Sequence, residues 1–210
     1  MKPNRSFWTG CLAAVALSVT AFAEELSIPF ASFEPGVERL EFWKPYRFGQ
    51  GSSFERIHTT KIARTGTQAL ALSVGSGGGG QGVLVDVPVQ RVTAGSEITF
   101  GAKVRLEEAD DLADGSVNLH VELMAGDKSI LRTDLVGSTL PVNAANATTV
   151  FQDVQFQYRV DPGHLRSGRK LEEVTAVRLV IVALQPVVPG PQKILGTLFI
   201  DDVVAAVKLP

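Results

Sequence analysis

Along short runs of this chain apolar and polar residues alternate one by one. That period of two fits a strand with one buried face and excludes an amphipathic helix. Ile98-Phe100-Ala102-Val104-Leu106, Val117-Leu119-Val121-Leu123 and Val154-Phe156-Tyr158-Val160 follow the rule. So do Leu70-Leu72-Val74, Val83-Val85-Val87 and Val177-Leu179-Ile181-Ala183. Further strands are expected over Leu26–Glu34, Val37–Trp43, Phe54–Ile62 and Thr197–Lys208. Gly, Pro, Asn and Asp separate the runs. About nine or ten short strands predict an all-β fold, a two-sheet antiparallel β-sandwich or jelly roll. Leu106–Leu112 is acidic and Pro162–Glu173 basic, and each reads as a solvated connection holding at most a turn or two of helix. Gly137–Thr149 reads as another long connection.

The first residues carry a different signal. Lys2 and Arg5 precede a mostly apolar Phe7–Phe22, and Ala21-Phe22-Ala23 is a small-x-small cleavage site. Residues 1–23 are therefore expected to be a signal peptide, and 24–210 one domain exported to a periplasmic, cell-surface or extracellular location. The single cysteine, Cys11, lies inside the leader. The mature chain is thus expected to have no disulfide, thiol nucleophile or thiolate metal site. Its stability must come from the core, and a chain of this length buries roughly 70% of its unfolded surface. The net charge of −2 suits neither nucleic acid nor another polyanion. No stretch after the leader is apolar for long enough to form a transmembrane helix.

Catalytic motifs are missing. Gly75-Ser76-Gly77-Gly78-Gly79-Gly80 matches a dinucleotide fingerprint only because it is a glycine run, and a strand follows it, not a helix N-terminus. It reads as a flexible hairpin loop. His58, His120 and His164 stand in no hydrolase or zinc motif, and no Gly-x-Ser-x-Gly elbow occurs. The chain reads as a non-enzyme. The adjacent acids Asp201 and Asp202, inside Leu198-Phe199-Ile200-Asp201-Asp202-Val203, need a separate account. Alternation sends one of them to a buried side, where a carboxylate requires donors or a cation. A structural calcium held by Asp201, Asp202 and Glu34 is one solution, if the first and last strands are neighbours. Backbone N–H groups or Arg64 are the other.

Several segments together resemble a known family. Phe33-Glu34, Arg64-Thr65-Gly66-Thr67-Gln68-Ala69-Leu70-Ala71-Leu72-Ser73-Val74, Gly95–Val104, Phe151–Phe156 and Phe199–Val203 occur in order. The set resembles the carbohydrate-binding modules of the family 4/9/22 type, jelly rolls related to galactose-binding-like domains. The resemblance covers most of Glu24–Lys208. It implies a β-sandwich, often with a structural calcium near the chain ends, and a concave sheet face that binds polysaccharide. Such modules stack aromatic rings on sugars, and Trp43-Lys44-Pro45-Tyr46-Arg47-Phe48 is the one dense aromatic segment. Trp43 or Tyr46 is thus the expected stacking residue. Tyr158 alternates in phase with Val154 and Phe156, so it is expected in the core. Where the family often has Trp, this chain has Phe151.

Polar rows on the middle strands provide the other candidates: Lys103 and Arg105, His120 and Glu122, and Gln155, Gln157 and Arg159. If these strands share a sheet they form a ladder suited to sugar hydroxyls or uronates, with Arg105, His120, Glu122, Gln157 and Arg159 as the expected ligands. The expected function is non-catalytic binding of a polysaccharide or oligosaccharide. One alternative is a structural or protein-interaction sandwich of the cell envelope. A second is a jelly-roll polysaccharide lyase or glycoside hydrolase, for which His120, Glu122 and Arg159 are the candidate set.

Overall fold

The structure is a computed structural model and is described for residues 23–28, 31, 33, 42–48, 57–60, 62–75, 79–108, 116–132, 138–141, 150–185, 190 and 194–210. Two six-stranded sheets stack face to face. Five strands, β1 (Ala23–Glu25), β2 (Lys44–Phe48), β3 (Ile57–Thr60), β4 (Ala69–Gly75) and β5 (Gly79–Pro88), precede the middle of the chain. They are followed by β6 (Glu97–Glu108), β7 (Ser116–Ala125), β8 (Lys128–Ser129) and β9 (Ser138–Pro141). The last three are β10 (Gln152–Arg159), β11 (Ala176–Gln185) and β12 (Ile194–Lys208). One sheet runs β10-β6-β12-β4-β3, with β1 also on β12. The other runs β2-β5-β11-β7-β8, with β9 also on β7. Every pairing is antiparallel. From β4 to β7, and again from β10 to β12, successive strands change sheet.

Alternation decides what lies between the sheets. Ile98, Phe100, Ala102 and Val104 face inward from the β12 sheet. Opposite them lie Val83, Val85 and Val87, with Val117, Leu119, Val121 and Leu123 and with Val177, Leu179, Ile181 and Ala183. Each buried Val, Leu, Ile or Phe among them contributes about 1.5–3 kcal/mol, and one continuous core joins both sheets. Tyr158 belongs to that core, as its phase requires.

Boundaries shift where local chemistry competes with the pattern. The first strand ends at Glu25, and Leu26 N–H already bonds Ala205 O at 2.9 Å. Phe42 and Trp43 precede β2, and the rest of the strand expected at Val37–Trp43 lies outside the described residues. The basic connection holds two short 3-10 turns, Pro162–His164 and Leu171–Glu173. Part of Gly137–Thr149, expected as a loop, pairs as β9 with β7. Beyond Glu108, the acidic segment lies outside the described residues, as does the expected leader through residue 22.

The first and last strands are neighbours: Ala23, Glu24 and Glu25 oppose Lys208, Val207 and Ala206. Within β12 the register slips between Asp201 and Val204, and Asp202 takes a φ of 46°. This bulge resolves the paired acids. Leu198 and Ile200 are buried in the core before it, Val203, Ala205 and Val207 after it. The inward set therefore changes from even to odd positions, and neither carboxylate enters the core. Asp201 is nevertheless fully buried. Its Oδ2 accepts the N–H groups of Arg64 (2.8 Å) and Thr65 (3.1 Å), and its Oδ1 accepts Asp202 N–H at 2.9 Å. Thr65 Oγ1 donates to Asp202 Oδ1 at 2.5 Å. Burial still raises the Asp201 carboxyl above its usual range, against the lowering effect of those three donors.

Replacing Asp201 with Ala strands these donors. The expected cost is about 3 kcal/mol. The melting temperature should fall by about 10 °C, measured by circular dichroism. An unchanged melt would contradict the clasp.

Candidate functional site

The outward face of the β11 sheet carries the densest set of functional groups. Val83, Val85 and Val87 point inward, so Gly80, Gly82, Leu84 and Asp86 line the outside. Register sets Tyr46 opposite Gly82 and Phe48 opposite Gly80. A Cβ at Gly80 would overlap the Phe48 ring, and one at Gly82 would overlap the Ile181 carbonyl. Gly80 thus leaves room for the Phe48 ring, while Gly82 lets β5 approach the β11 backbone closely. Tyr46 packs on the outward Leu84, Val180 and Val182. Its ring centroid lies 5.4 Å from His120 and 6.3 Å from Phe48. Since β5 and β11 separate β2 from β7, the Tyr46–His120 contact spans two strands. Phe48, Tyr46 and His120 make a continuous strip, with Phe48 43% exposed at its end.

Beside the strip lies a charged row. Pairing aligns Asp86, Arg178 and Glu122 on β5, β11 and β7. Arg178 is bidentate to Asp86 (Nε–Oδ1 2.7 Å, Nη2–Oδ2 3.1 Å), and its Nη1 donates to Glu122 Oε2 at 3.4 Å. The Asp86 bonds come first among the causes that raise the guanidinium's proton affinity. Burial lowers His120 to about 4, so its imidazole is neutral at neutral pH. The 4.0 Å approach of its Nε2 to Glu122 is then no ion pair. Tyr46 is raised, first by burial and next by the Glu122 charge.

Three expected ligands, Tyr46, His120 and Glu122, therefore meet on one face. The others do not join them. Trp43 is a core residue, 2% exposed and 5.4 Å from Phe33 between ring centroids, so it offers no face to a sugar. Arg105 lies on the outer face of the other sheet. Its guanidinium sits 5.5 Å from the Phe199 ring centroid and donates to Glu107 at 3.0 Å. Gln157 and Arg159 are exposed on β10, opposite Thr99 and Glu97. The three polar rows do not share a sheet: Lys103, Arg105, Gln155, Gln157 and Arg159 belong to the β12 sheet, His120 and Glu122 to the β11 sheet. The set considered for a lyase or hydrolase, His120, Glu122 and Arg159, is divided the same way. Asp86, Arg178 and Phe48 were not among the expected ligands. Each of the two charges is a lone one inside an apolar run, Val83-Leu84-Val85-Asp86-Val87 and Val177-Arg178-Leu179-Val180, and that was the available signal.

The acidic pair was the expected calcium site. Calcium takes six to eight oxygens. Here both Asp201 oxygens already face N–H donors. Among the described residues no three His, Cys, Asp or Glu side chains group around a common point. Glu34 lies outside the described residues. The residues in view form a hydrogen-bonded clasp around Asp201.

No family model and no curated protein matches the sequence. Solved structures do share the fold. The enzymatically active domain of bacteriophage CBA120 tailspike protein 4 matches with a TM-score of 0.57 at 13% identity, over 87% of this chain and 21% of that one. The chain thus spans about a fifth of the tailspike domain's length. The CBM22-1 xylan-binding domain of Paenibacillus barcinonensis Xyn10C matches with a TM-score of 0.52 at 15% identity, over 89% of this chain and 97% of that domain. These likenesses show that the β-sandwich fold is shared with both structures.

The His120 environment gives stability a pH dependence. Its folded value is about 4 against 6.5 for the free side chain. Below 6.5 the unfolded chain takes up a proton that the folded chain refuses until about 4, so acidification favours unfolding. The contribution is intact above 6.5, is lost between 6.5 and 4, and levels off below. Its full size is on the order of 3 kcal/mol. Melting of the protein and of His120→Gln between pH 7 and 4.5 should show the steeper acid loss in the parent. Parallel curves would contradict the burial.

Proposed function

We propose that this protein binds carbohydrate non-covalently on the outer face of its β11 sheet. The observation that carries the reading is the strip of Phe48, Tyr46 and His120, with the Phe48 ring over Gly80. Aromatic faces take the apolar side of a pyranose. The adjacent Asp86, Glu122, Arg178 and neutral His120 supply acceptors and donors for hydroxyls. The fold shared with a xylan-binding domain supports the same reading.

Catalysis is the weaker reading, on chemical grounds. An imidazole held at about 4 is a poor base. The Tyr46 phenol is shifted away from ionisation. Arg178 is committed to Asp86 and Glu122, which leaves little of its charge for a uronate carboxylate. A structural or protein-interaction role has one observation in its favour, since Lys103 pairs with Asp153 and Arg105 with Glu107 on the opposite sheet.

Two further proposals concern the chain ends. The Lys2/Arg5, apolar run and Ala21-Phe22-Ala23 pattern supports export by a cleaved leader. The clasp around Asp201 supports stability without calcium. A chelator should leave the melting temperature unchanged, and a fall would restore the calcium site.

Affinity electrophoresis through gels containing xylan, β-glucan, galactan or mannan tests the binding itself. At least one polymer should retard the protein. Tyr46→Ala should weaken that binding about tenfold, the loss expected for a principal stacking contact. No retardation on any polymer would reject carbohydrate binding and favour the protein-interaction role.

A further inference from the structure

At one end of the sandwich the β5–β6 and β10–β11 connections enclose a cleft of about 680 Å³, within the range of small-ligand pockets. Its lining carries three cations, Arg91, Arg169 and Lys170, against one carboxylate, Glu172, in a chain whose net charge is −2. Leu165, Leu171 and Val174 provide an apolar wall, and no aromatic ring is among the lining residues. This is not a second stacking platform.

The cleft is built before any ligand arrives. Leu165 bridges to Leu131, Arg166 Nε donates to Leu131 O at 2.9 Å, and Arg166 N–H donates to Ile130 O at 2.8 Å. Glu173 accepts Lys170 N–H at 2.8 Å and Arg169 Nη2 at 2.9 Å, fixing the turn that carries both cations. Among the described residues the exposed Arg91 and Lys170 side chains form no ion pair. Two cations with no ion pair among the described residues thus line the cleft together with an apolar wall.

We propose that this cleft binds a small organic anion: a carboxylate on a compact body with an apolar face. The guanidinium of Arg91 and the ammonium of Lys170 take the carboxylate, and Leu171 and Val174 take the body. The carboxylate can come from a uronic acid or from a short aliphatic acid. The cleft lies apart from Tyr46, so the proposal does not rest on the sheet-face reading.

NMR titrations at low ionic strength with glucuronate, hexanoate, glucose and inorganic phosphate test it. At least one of the two carboxylates should shift the amides of Arg91, Lys170 and Leu171, and which one binds identifies the source. Glucose should leave those amides unmoved. The double variant Arg91→Gln/Lys170→Gln should weaken binding about fivefold or more, as loss of exposed ion pairs predicts. Both side chains are exposed, so the variant should melt like the parent. Tyr46→Ala should leave this binding intact. Silence of both carboxylates, undiminished binding by the double variant, or phosphate binding as tightly as either carboxylate would overturn the proposal.

Discussion

Strand β12 must keep an apolar side inward over fifteen residues while holding β6, β4 and β1 at once. A strand of that length with two adjacent carboxylates at its middle would bury a charge in the core if it ran straight. The slip at Asp201–Val204 prevents this: one extra residue, with Asp202 in the left-handed region, moves the inward set by one position. The carboxylate left at the fold of the bulge is then useful. It gathers the N–H groups of Arg64 and Thr65, residues that lead into β4, and so ties the end of the chain to its first half. The contact braces β12 against its neighbour β4 within one sheet, while the shared core holds the two sheets together.

On that opposite sheet a different economy operates. Glycine in a strand interior usually weakens it, because it brings no side chain to pack. Here Gly80 leaves room for the Phe48 ring, and Tyr46 packs on Leu84, Val180 and Val182. The arrangement leaves ring surface beside a row of fixed acceptors and donors. Such a face can hold a ligand through many weak contacts.

Most of the fold was legible because side-chain period reports burial directly. The runs at Ile98, Val117, Val154 and Val177 became β6, β7, β10 and β11, with Ile98, Phe100, Leu119, Val154 and Leu179 among the residues inside. The site was less legible, and the reason is physical. Alternation says which side of its own strand a residue occupies, but not which sheet receives the strand. Rows in phase on β6, β7 and β10 looked equivalent, and pairing then divided them between two faces. Trp43 shows the same limit for an aromatic residue next to a strand, since sequence does not say whether the ring turns inward to Phe33 or outward. The adjacent acids were recognised as a problem, and the bulge that solves it needed one residue at positive φ, a feature that no periodicity encodes.

The central proposal is that ligand meets the β11 sheet from outside. Amide chemical-shift mapping during titration with xylo-, cello- and galacto-oligosaccharides reads this most directly. The account expects shifts concentrated on Tyr46, Phe48, Gly82, His120, Glu122 and Arg178. Shifts centred instead on Gln155, Gln157 and Arg159 of β10, with the Tyr46 strip unmoved, would contradict it.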